Sequence, residues 1–251
     1  MLDRHAATNG FRALRIDLFP HQHTALSALR DAGFQAIPSI AGMRSISVPL
    51  CQPEGELLQR MSGRVGREAR RARRKGVMVS VGMEALEDFH ALYQQTAAHQ
   101  GFPVFPLEYF EDLWRTLGVN GRLQAFVAYL DGRPLATLLN TIVGDEMYYG
   151  WGGMSRCPED KRLRANYLLH VSAMSWARQH GLVRYDLAGA SEFKAWFAVD
   201  AIDWPAPLWK FYGPLRGMYP NVITTMESGG LLGRLSRRLG HRLGLSLRMP
   251  Q

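Results

Sequence analysis

The residues best suited to chemistry lie in the stretch 166–197, where a lysine follows an apolar helix and a short strand. The helix pattern stops at Gly181, and the strand after it ends in Asp186. Lys194 then follows directly on Phe193. A lysine just past the end of a buried strand, among aromatic side chains, can bind an anion or an oxyanion that develops during a reaction. The stretch therefore predicts a site for an anionic ligand or transition state.

Positive charge is concentrated in a second region, between residues 60 and 75. The whole chain carries a formal net charge of +8, and seven of its arginines fall within the fifteen residues 60–74. That is more than the C-terminal end of a helix needs, so binding to phosphate is favoured over a merely solvated helix face. The predicted tRNA- or phosphate-binding residues in this run are Arg67, Arg70, Arg71, Arg74 and Lys75.

Composition and motifs exclude several other classes of protein. The chain of 251 residues has no apolar run of about 18 residues, and its start lacks an apolar signal region, so a cytoplasmic location is expected. Cys51 and Cys157 are far apart, and His21 and His23 have no third partner nearby, so no metal site is expected. Serine-hydrolase and P-loop motifs are absent from the sequence.

Hydrophobic periodicity and turn residues predict the elements that would hold these residues. Residues 12–50 predict a small strand, helix, strand, strand segment, and 53–75 predict a basic helix that ends at Gly76. Asp131-Gly132 marks a hairpin. From residue 77 the predicted order is strand 77–81, helices 84–99 and 107–117, strands 122–130, 134–143 and 147–152, helix 166–180, strand 182–187, helix 191–198 and strand 208–212.

This order resembles the GNAT acyltransferase fold, and several details resemble its Fem branch of aminoacyltransferases. The details are the basic run 70–77, the Gly-Phe-Pro-Val-Phe-Pro stretch 101–106, and Tyr185-Asp186-Leu-Ala-Gly189 with Phe193-Lys194 downstream. The resemblance covers about 53–215. It implies an α/β (α+β) fold with a mixed, mostly antiparallel sheet and helices on both faces.

The resemblance also implies a domain organisation. Fem-like proteins usually pair two GNAT-like domains, and residues 1–52 resemble only the closing segment of the first. The prediction is therefore a truncated N-terminal GNAT-like remnant at 1–52, a basic connecting helix at 53–76, an acyltransferase domain at 77–215 and a basic amphipathic tail at 216–251. Because the family's precursor cleft draws on both domains, a smaller peptide or amine acceptor fits more easily than a large UDP-linked or lipid-linked one.

The segment 162–167 bears on the acyl donor. GNAT enzymes that use acetyl-CoA hold its pyrophosphate on a glycine-rich loop before the central helix. The matching segment here contains no glycine, so acyl-CoA is the less expected donor. The resemblance implies aminoacyl-tRNA as co-substrate and no further cofactor. Arg162 and Arg164 are predicted to hold phosphate, with solvated loop arginines as the alternative, and Asn166 is predicted to cap the helix.

The resemblance assigns roles to the candidate residues. It implies that Lys194 stabilises the oxyanion or binds terminal-ribose phosphate, and that Asp186 holds the amine or accepts its proton. The alternatives are a solvated lysine and a turn aspartate. Phe193 would stack near the terminal adenosine of the tRNA or form a wall of the site. The predicted substrate-binding residues are Phe193, Tyr149, Trp151, Arg164, Asn166 and Ser191, of which Tyr149 and Trp151 would line the acceptor cleft or belong to the core.

The predicted function is transfer of an aminoacyl group from aminoacyl-tRNA to an amine of a peptide or peptidoglycan precursor, with formation of an amide bond. One alternative is an acyl-CoA-dependent N-acyltransferase that acts on an amino sugar or small amine. Another is a non-catalytic RNA- or membrane-surface-binding protein. The leucines and arginines of 228–243 predict a basic amphipathic helix that packs on the body, contacts RNA or makes peripheral contact with the inner membrane face.

Overall fold

The computed structural model describes residues 2–37, 42–213 and 216–227. The described residues divide into two compact units, one made of 2–37, 42–44, 202–213 and 216–227 and the other of 45–201. The predicted domain boundaries at 52/53, 76/77 and 215/216 follow composition and resemblance rather than this division, and they stay predictions. The predicted amphipathic helix at 228–243 lies outside the described residues.

The N-terminal part of the chain forms short elements. They are α1 (Leu2–Thr8), β1 (Ala13–Ile16), a 3-10 turn (Pro20–Gln22), α2 (Ala25–Asp31) and β2 (Gln35–Ala36). The predicted helix at 21–32 is therefore split into a 3-10 turn and a shorter α-helix. Helix α1 was not predicted.

The second unit contains the longer elements. They are β3 (Arg44–Pro49), α3 (Glu54–Arg60), α4 (Gly63–Arg74), β4 (Met78–Val81), a 3-10 turn (Met83–Ala85), α5 (Leu86–Gln100), α6 (Leu107–Leu113), a π-helical turn (Trp114–Gly118), β5 (Leu123–Leu130), β6 (Arg133–Val143), β7 (Glu146–Met154), α7 (Pro158–Lys161), α8 (Ala165–Gln179), β8 (Arg184–Asp186) and α9 (Glu192–Ala195). Strand β9 (Asp200–Asp203) lies at the boundary of the two units.

The chain then returns to the first unit with β10 (Leu208–Phe211) and α10 (Tyr219–Glu227). Strand β10 pairs antiparallel with both β1 and β2 in a three-stranded sheet. The strand predicted at 208–212 is thus present, but it joins the N-terminal strands and not the sheet of the second unit.

The sheet of the second unit runs in the order β4, β5, β6, β7, β8, β3. Neighbours are antiparallel except β7 and β8, which run parallel over three residue pairs that end at Tyr148 and Asp186. Buried side chains of α5 and α6 pack on one face, and those of α4 and α8 pack in the cluster on the other. The predicted mixed, mostly antiparallel sheet with helices on both faces is confirmed.

The predicted basic helix is two helices, α3 and α4, with a break at Met61 and Ser62. Ser62 caps α4, because its hydroxyl accepts a hydrogen bond from the Arg64 amide at 3.3 Å. Gly76 ends α4 with φ of 86°, and the Val77 amide donates to the Ala72 carbonyl at 3.1 Å. Glycine suits this left-handed position, so its predicted role as a helix stop is correct.

An irregularity in the pairing of β6 with β7 decides where two aromatic residues point. Asn140 pairs with Tyr149 and Leu139 pairs with Trp151, which leaves Gly150 without a partner in the ladder. One extra residue in a strand moves the side chains that follow to the opposite face. Tyr149 therefore packs with the α4–α8 cluster, whereas Trp151 packs with the α5–α6 cluster.

Candidate functional site

A cavity of about 520 Å³ lies in the second unit, where β7, the first half of α8 and α9 meet. Its volume is in the range of ligand-binding sites. Six of the residues predicted from the sequence line it together: Tyr149, Arg164, Asn166, Ser191, Phe193 and Lys194. The remaining wall includes Thr137 and Leu138 of β6, Gln100 of α5, and Leu169 and His170 of α8.

The cavity wall is strongly cationic. Its described lining includes Lys194 and three further cations, Arg156, Lys161 and Arg164. We call these three further cations the cationic rim. The described lining contains no carboxylate. Asp160, which directly precedes Lys161 in sequence, is buried and accepts hydrogen bonds from Arg133 and from the Ser155 hydroxyl. The electrostatics of the cavity therefore favour an anionic ligand or a developing negative charge.

Lys194 is held in place on α9, a helix of one turn. The Ser191 hydroxyl accepts a hydrogen bond from the Lys194 amide at 3.4 Å and so caps the helix. The Lys194 Nζ donates to the Ala188 carbonyl at 2.8 Å and lies 5.2 Å from the centre of the Tyr149 ring. Burial lowers the pKa of Lys194 to about 8, against a smaller opposing effect of the Asp186 carboxylate. The lysine thus stays mostly protonated at neutral pH.

A buried network below Lys194 fixes the carbonyl that it contacts. Asp186 is fully buried and accepts hydrogen bonds from the Ser45 hydroxyl at 2.5 Å and from the Ala188 amide at 2.6 Å. The Ser45 hydroxyl accepts in turn from the Gly189 amide at 2.8 Å. Ala188 has a left-handed φ of 50°, which costs energy in a residue with a side chain. The network holds this strained turn so that the Ala188 carbonyl faces Lys194.

The aromatic wall behind Lys194 does not titrate near neutral pH. His170 is buried, its ring lies 5.4 Å from that of Tyr149, and its Nδ1 lies 2.9 Å from the Tyr185 hydroxyl. Burial, with a smaller effect of the Lys194 charge, lowers the pKa of His170 to about 3. Burial raises the pKa of Tyr149 to about 12. Lys194 is therefore the group in this part of the cavity whose charge changes closest to physiological pH.

The start of α8 differs from its prediction. The helix begins at Ala165, and the residue in the cap position is Arg164, with a left-handed φ of 56° and no side-chain cap hydrogen bond. Asn166 lies in the first turn and faces the cavity instead of capping the helix. The predicted cap at Asn166 is therefore wrong. Its predicted contact with substrate stays a prediction.

Other predicted site residues lie away from the cavity wall. Asp186 lies beneath it, Trp151 packs against Tyr109 and Phe110 on the opposite face of the sheet, and Arg162 is exposed. The predicted phosphate-binding residues of the basic run do not line the cavity either; Arg67, Arg70, Arg71 and Arg74 lie in α4, and Lys75 follows as its C-cap.

Sequence reasoning did not single out four residues that shape the site. Arg156 and Lys161 complete the cationic rim, and they were hidden in a loop that looked merely polar. His170 carried a usable signal, since it is a histidine within an otherwise apolar helix pattern. Ser45 is 141 residues from its partner Asp186, and no local pattern connects them.

Two observations concern metals and membranes. In residues 2–37, 42–213 and 216–227, no group of three or more His, Cys, Asp or Glu side chains could hold a metal ion. Within the same ranges, no helix combines the length and the apolar character needed to cross a bilayer.

Comparison with known proteins assigns the chain to a family. Residues 59–195 match the family model described as an acetyltransferase (GNAT) domain. This match spans more than half of the chain, so the protein belongs to the GNAT acetyltransferase-domain family, which is a family of acyltransferases. A search of curated proteins finds no match.

Solved structures show which members the fold resembles. FemX has a TM-score of 0.68 at 18% identity, over 89% of this chain and 77% of FemX. The C-terminal domain of a protein described as lysylphosphatidylglycerol synthetase from Agrobacterium fabrum has a TM-score of 0.56 at 17% identity, over 91% and 76% of the two chains. L-PGS from Bacillus licheniformis gives 0.53 at 10% identity, over 88% and 74%. The predicted resemblance to the Fem branch is thus confirmed at the level of the fold.

Proposed function

We propose that the protein is a Fem-type N-acyltransferase, which transfers an aminoacyl group from aminoacyl-tRNA to an amine of a peptide or peptidoglycan precursor. The observation that carries the proposal is the position of Lys194. Its ammonium group lies in a cavity whose described lining has four cations and no carboxylate. Acyl transfer needs a donor at the place where the carbonyl oxygen becomes negative, and such a donor is most effective when its position is already fixed. The hydrogen bond to the Ala188 carbonyl fixes Lys194.

The proposed reaction balances without a further reactant. The acceptor nitrogen attacks the ester carbonyl carbon, a C–N bond forms, and the carbonyl π electrons move to the oxygen near Lys194. When the tetrahedral intermediate collapses, the C–O bond to the terminal ribose breaks. The nitrogen loses one proton and the ribose oxygen gains one, so the products are an amide and a free hydroxyl. Lys194 stabilises the intermediate and keeps its own proton.

The charge of the cavity and the sequence at the start of α8 support the proposed donor. The cationic rim suits a phosphate of the donor's terminal nucleotide, and the Phe193 ring offers a surface on which its base can stack. Segment 162–167 has no glycine, and Arg164 occupies a left-handed position where glycine is favoured. Both features favour aminoacyl-tRNA over acyl-CoA as donor.

The test is transfer from charged tRNA. The protein is incubated with tRNA carrying a labelled amino acid and with an acceptor panel of peptides, peptidoglycan precursors and small amines. Phosphatidylglycerol belongs in the panel because the description of one similar structure includes it, and transfer to its hydroxyl group would give an ester in place of an amide. We expect ribonuclease-sensitive formation of a labelled amide.

The competing function is decided in parallel. Calorimetry with acetyl-CoA and longer acyl-CoAs measures binding of the alternative donor. Tight binding of an acyl-CoA, together with no transfer from charged tRNA, would replace the proposal with an acyl-CoA-dependent enzyme. If the Lys194→Ala variant keeps every activity that the wild-type protein shows, the result would instead point to a non-catalytic binding protein.

A further inference from the structure

One face of α4 carries cations that the cavity does not use. Arg67, Arg70, Arg71, Arg74 and Lys75 are exposed and form what we call the basic stripe. The side chains of Arg67 and Arg71 are 64% and 47% exposed. The opposite face of the helix is apolar and packs into the core with α8, through Val65, Ala69 and Ala72.

The charge of the basic stripe is mostly not neutralised. Glu68 is the single acidic residue in α4, and its carboxylate lies 3.8 Å from Arg67 and 3.6 Å from Arg71, too far for a hydrogen bond. Within the part of the chain that the structure describes, no carboxylate lies within 4.0 Å of the three other cations, Arg70, Arg74 and Lys75. Five cations thus face solvent against one carboxylate.

The start of α4, which carries the basic stripe, contacts the C-terminal end of α9, the helix that carries Lys194. At the start of α4 the Ser62 amide donates to the Trp196 carbonyl at 3.1 Å. The Arg64 guanidinium lies 4.7 Å from the centre of the Trp196 ring. Trp196 is two residues beyond Lys194 in sequence. From this contact the twelve residues of α4 extend for about 18 Å. The basic stripe follows along the same helix, about one to three turns beyond the contact with Trp196.

We propose that the basic stripe binds the phosphate backbone of the paired RNA stem that carries the aminoacyl donor. Arginine is suited to this because its planar guanidinium forms paired hydrogen bonds with phosphate oxygens. A membrane surface is the weaker candidate. A helix that lies on a bilayer inserts an apolar face, whereas the apolar face of α4 is already buried in the core and the basic stripe has no apolar member. The proposal rests on the proposed function for the identity of the RNA.

Binding of uncharged tRNA tests the basic stripe without any chemistry. The variant Arg70→Gln/Arg71→Gln/Arg74→Gln is compared with the matched variant Arg30→Gln/Arg115→Gln/Arg122→Gln, which removes three other exposed cations. Fluorescence anisotropy gives Kd between about 50 and 200 mM salt, the range over which phosphate contacts weaken most visibly.

We expect the first variant to bind about tenfold more weakly and its plot of log Kd against log salt concentration to lose about 2 to 3 units of slope, roughly 0.9 per phosphate contact. The matched variant should stay within about twofold of the wild-type protein, as expected for charges outside the contact. Equal weakening in both variants, or no weakening in the first, would overturn the proposal. So would loss of binding to vesicles of phosphatidylglycerol with unchanged tRNA binding, because the basic stripe would then be a membrane contact.

A short donor separates this proposal from the proposed function. An aminoacylated dinucleotide that ends in adenosine fills the cavity but does not reach along α4. Normal transfer from it by the first variant, with slower transfer from full tRNA, supports the basic stripe. Equally slow transfer from both donors would count against the basic stripe, because the substitutions would then act on the cavity. If the wild-type protein transfers from neither donor, the proposed function fails, and the binding comparison still decides the basic stripe.

Discussion

Replacement of Lys194 by methionine separates the proposed catalytic role of this residue from any role in folding. Methionine keeps much of the length of the side chain and can still contact the Tyr149 ring, but it cannot donate a hydrogen bond. Removal of one fixed oxyanion donor typically lowers the rate by about 10²- to 10³-fold. We therefore expect kcat to fall by that factor, whereas KM should change little.

The same substitution lowers kcat but is predicted not to lower the free energy of unfolding at pH 7. Burial lowers the pKa of Lys194 from 10.5 to about 8 in the folded protein, so the unfolded chain holds more protons between these values and wild-type stability rises with pH across this window. Below pH 8 the folded protein bears the cost of a buried charge. The shift corresponds to at most about 3 kcal/mol, and less in practice because the side chain is partly accessible to solvent. Lys194→Met should thus be at least as stable as the wild-type protein at pH 7.

The assay measures transfer rates and urea denaturation on the same preparations. Lys161→Met serves as a control that removes a cation of the cavity without touching the Ala188 carbonyl, and it should raise KM more than it lowers kcat. A transfer rate within about threefold of wild type for Lys194→Met would refute the oxyanion role, since a lost donor costs far more. A large loss of stability of Lys194→Met at pH 7 would refute the inference that the buried charge of Lys194 destabilises the folded protein.

Three further predictions concern groups around Lys194 and the sheet. Asp186→Asn removes the charge that raises the pKa of Lys194, so the alkaline decline of kcat/KM should move to lower pH while the fold is kept; an unmoved profile would show that the two groups are not coupled. The pKa of His170 is about 3 in the fold against 6.5 ordinarily, so the wild-type protein should lose up to about 1.4 kcal/mol per pH unit between pH 6.5 and 3. His170→Phe should flatten that slope in urea titrations at pH 7 and 5, and an equally steep slope would assign the loss to other groups. A Cβ at Gly153 would lie 2.5 Å from backbone atoms of Leu92, so Gly153→Ala should cost about 1 to 3 kcal/mol in thermal denaturation, whereas Gly55→Ala, with open space around it, should cost nothing.

Much of the fold could be predicted from the sequence because its signals are local. Gly76 and Gly181 mark helix ends, and Asp131-Gly132 marks the hairpin between β5 and β6; both glycine stops have the left-handed φ that this position favours. The break between α3 and α4 was missed because the arginine pattern continues through it. The sheet to which β10 belongs was missed for another reason. Periodicity identifies a strand but not its partner, which here lies about 200 residues earlier in the chain.

The candidate site was predicted less completely because its geometry depends on contacts between distant segments. Lys194, Phe193 and Ser191 could be identified since they follow a strand that ends in the predicted place. The role of Asp186 in holding the turn at Ala188 could not be predicted, because it depends on Ser45 and on the conformation of Ala188. Trp151 was grouped with Tyr149 by simple alternation along a strand, and the unpaired Gly150 breaks that alternation.

The unpaired Gly150 also affects how this strand tolerates insertions and deletions. If Gly150 were deleted, Tyr149 and Trp151 would become neighbours in an uninterrupted strand, and because neighbouring residues point to opposite faces, both aromatic side chains would keep the faces they have now. Loss of this one codon would thus make the pairing of β7 with β6 regular without changing the aromatic wall of the cavity. In an alignment with a related chain that lacks this residue, a gap placed elsewhere in β7 would equate residues on opposite faces of the sheet.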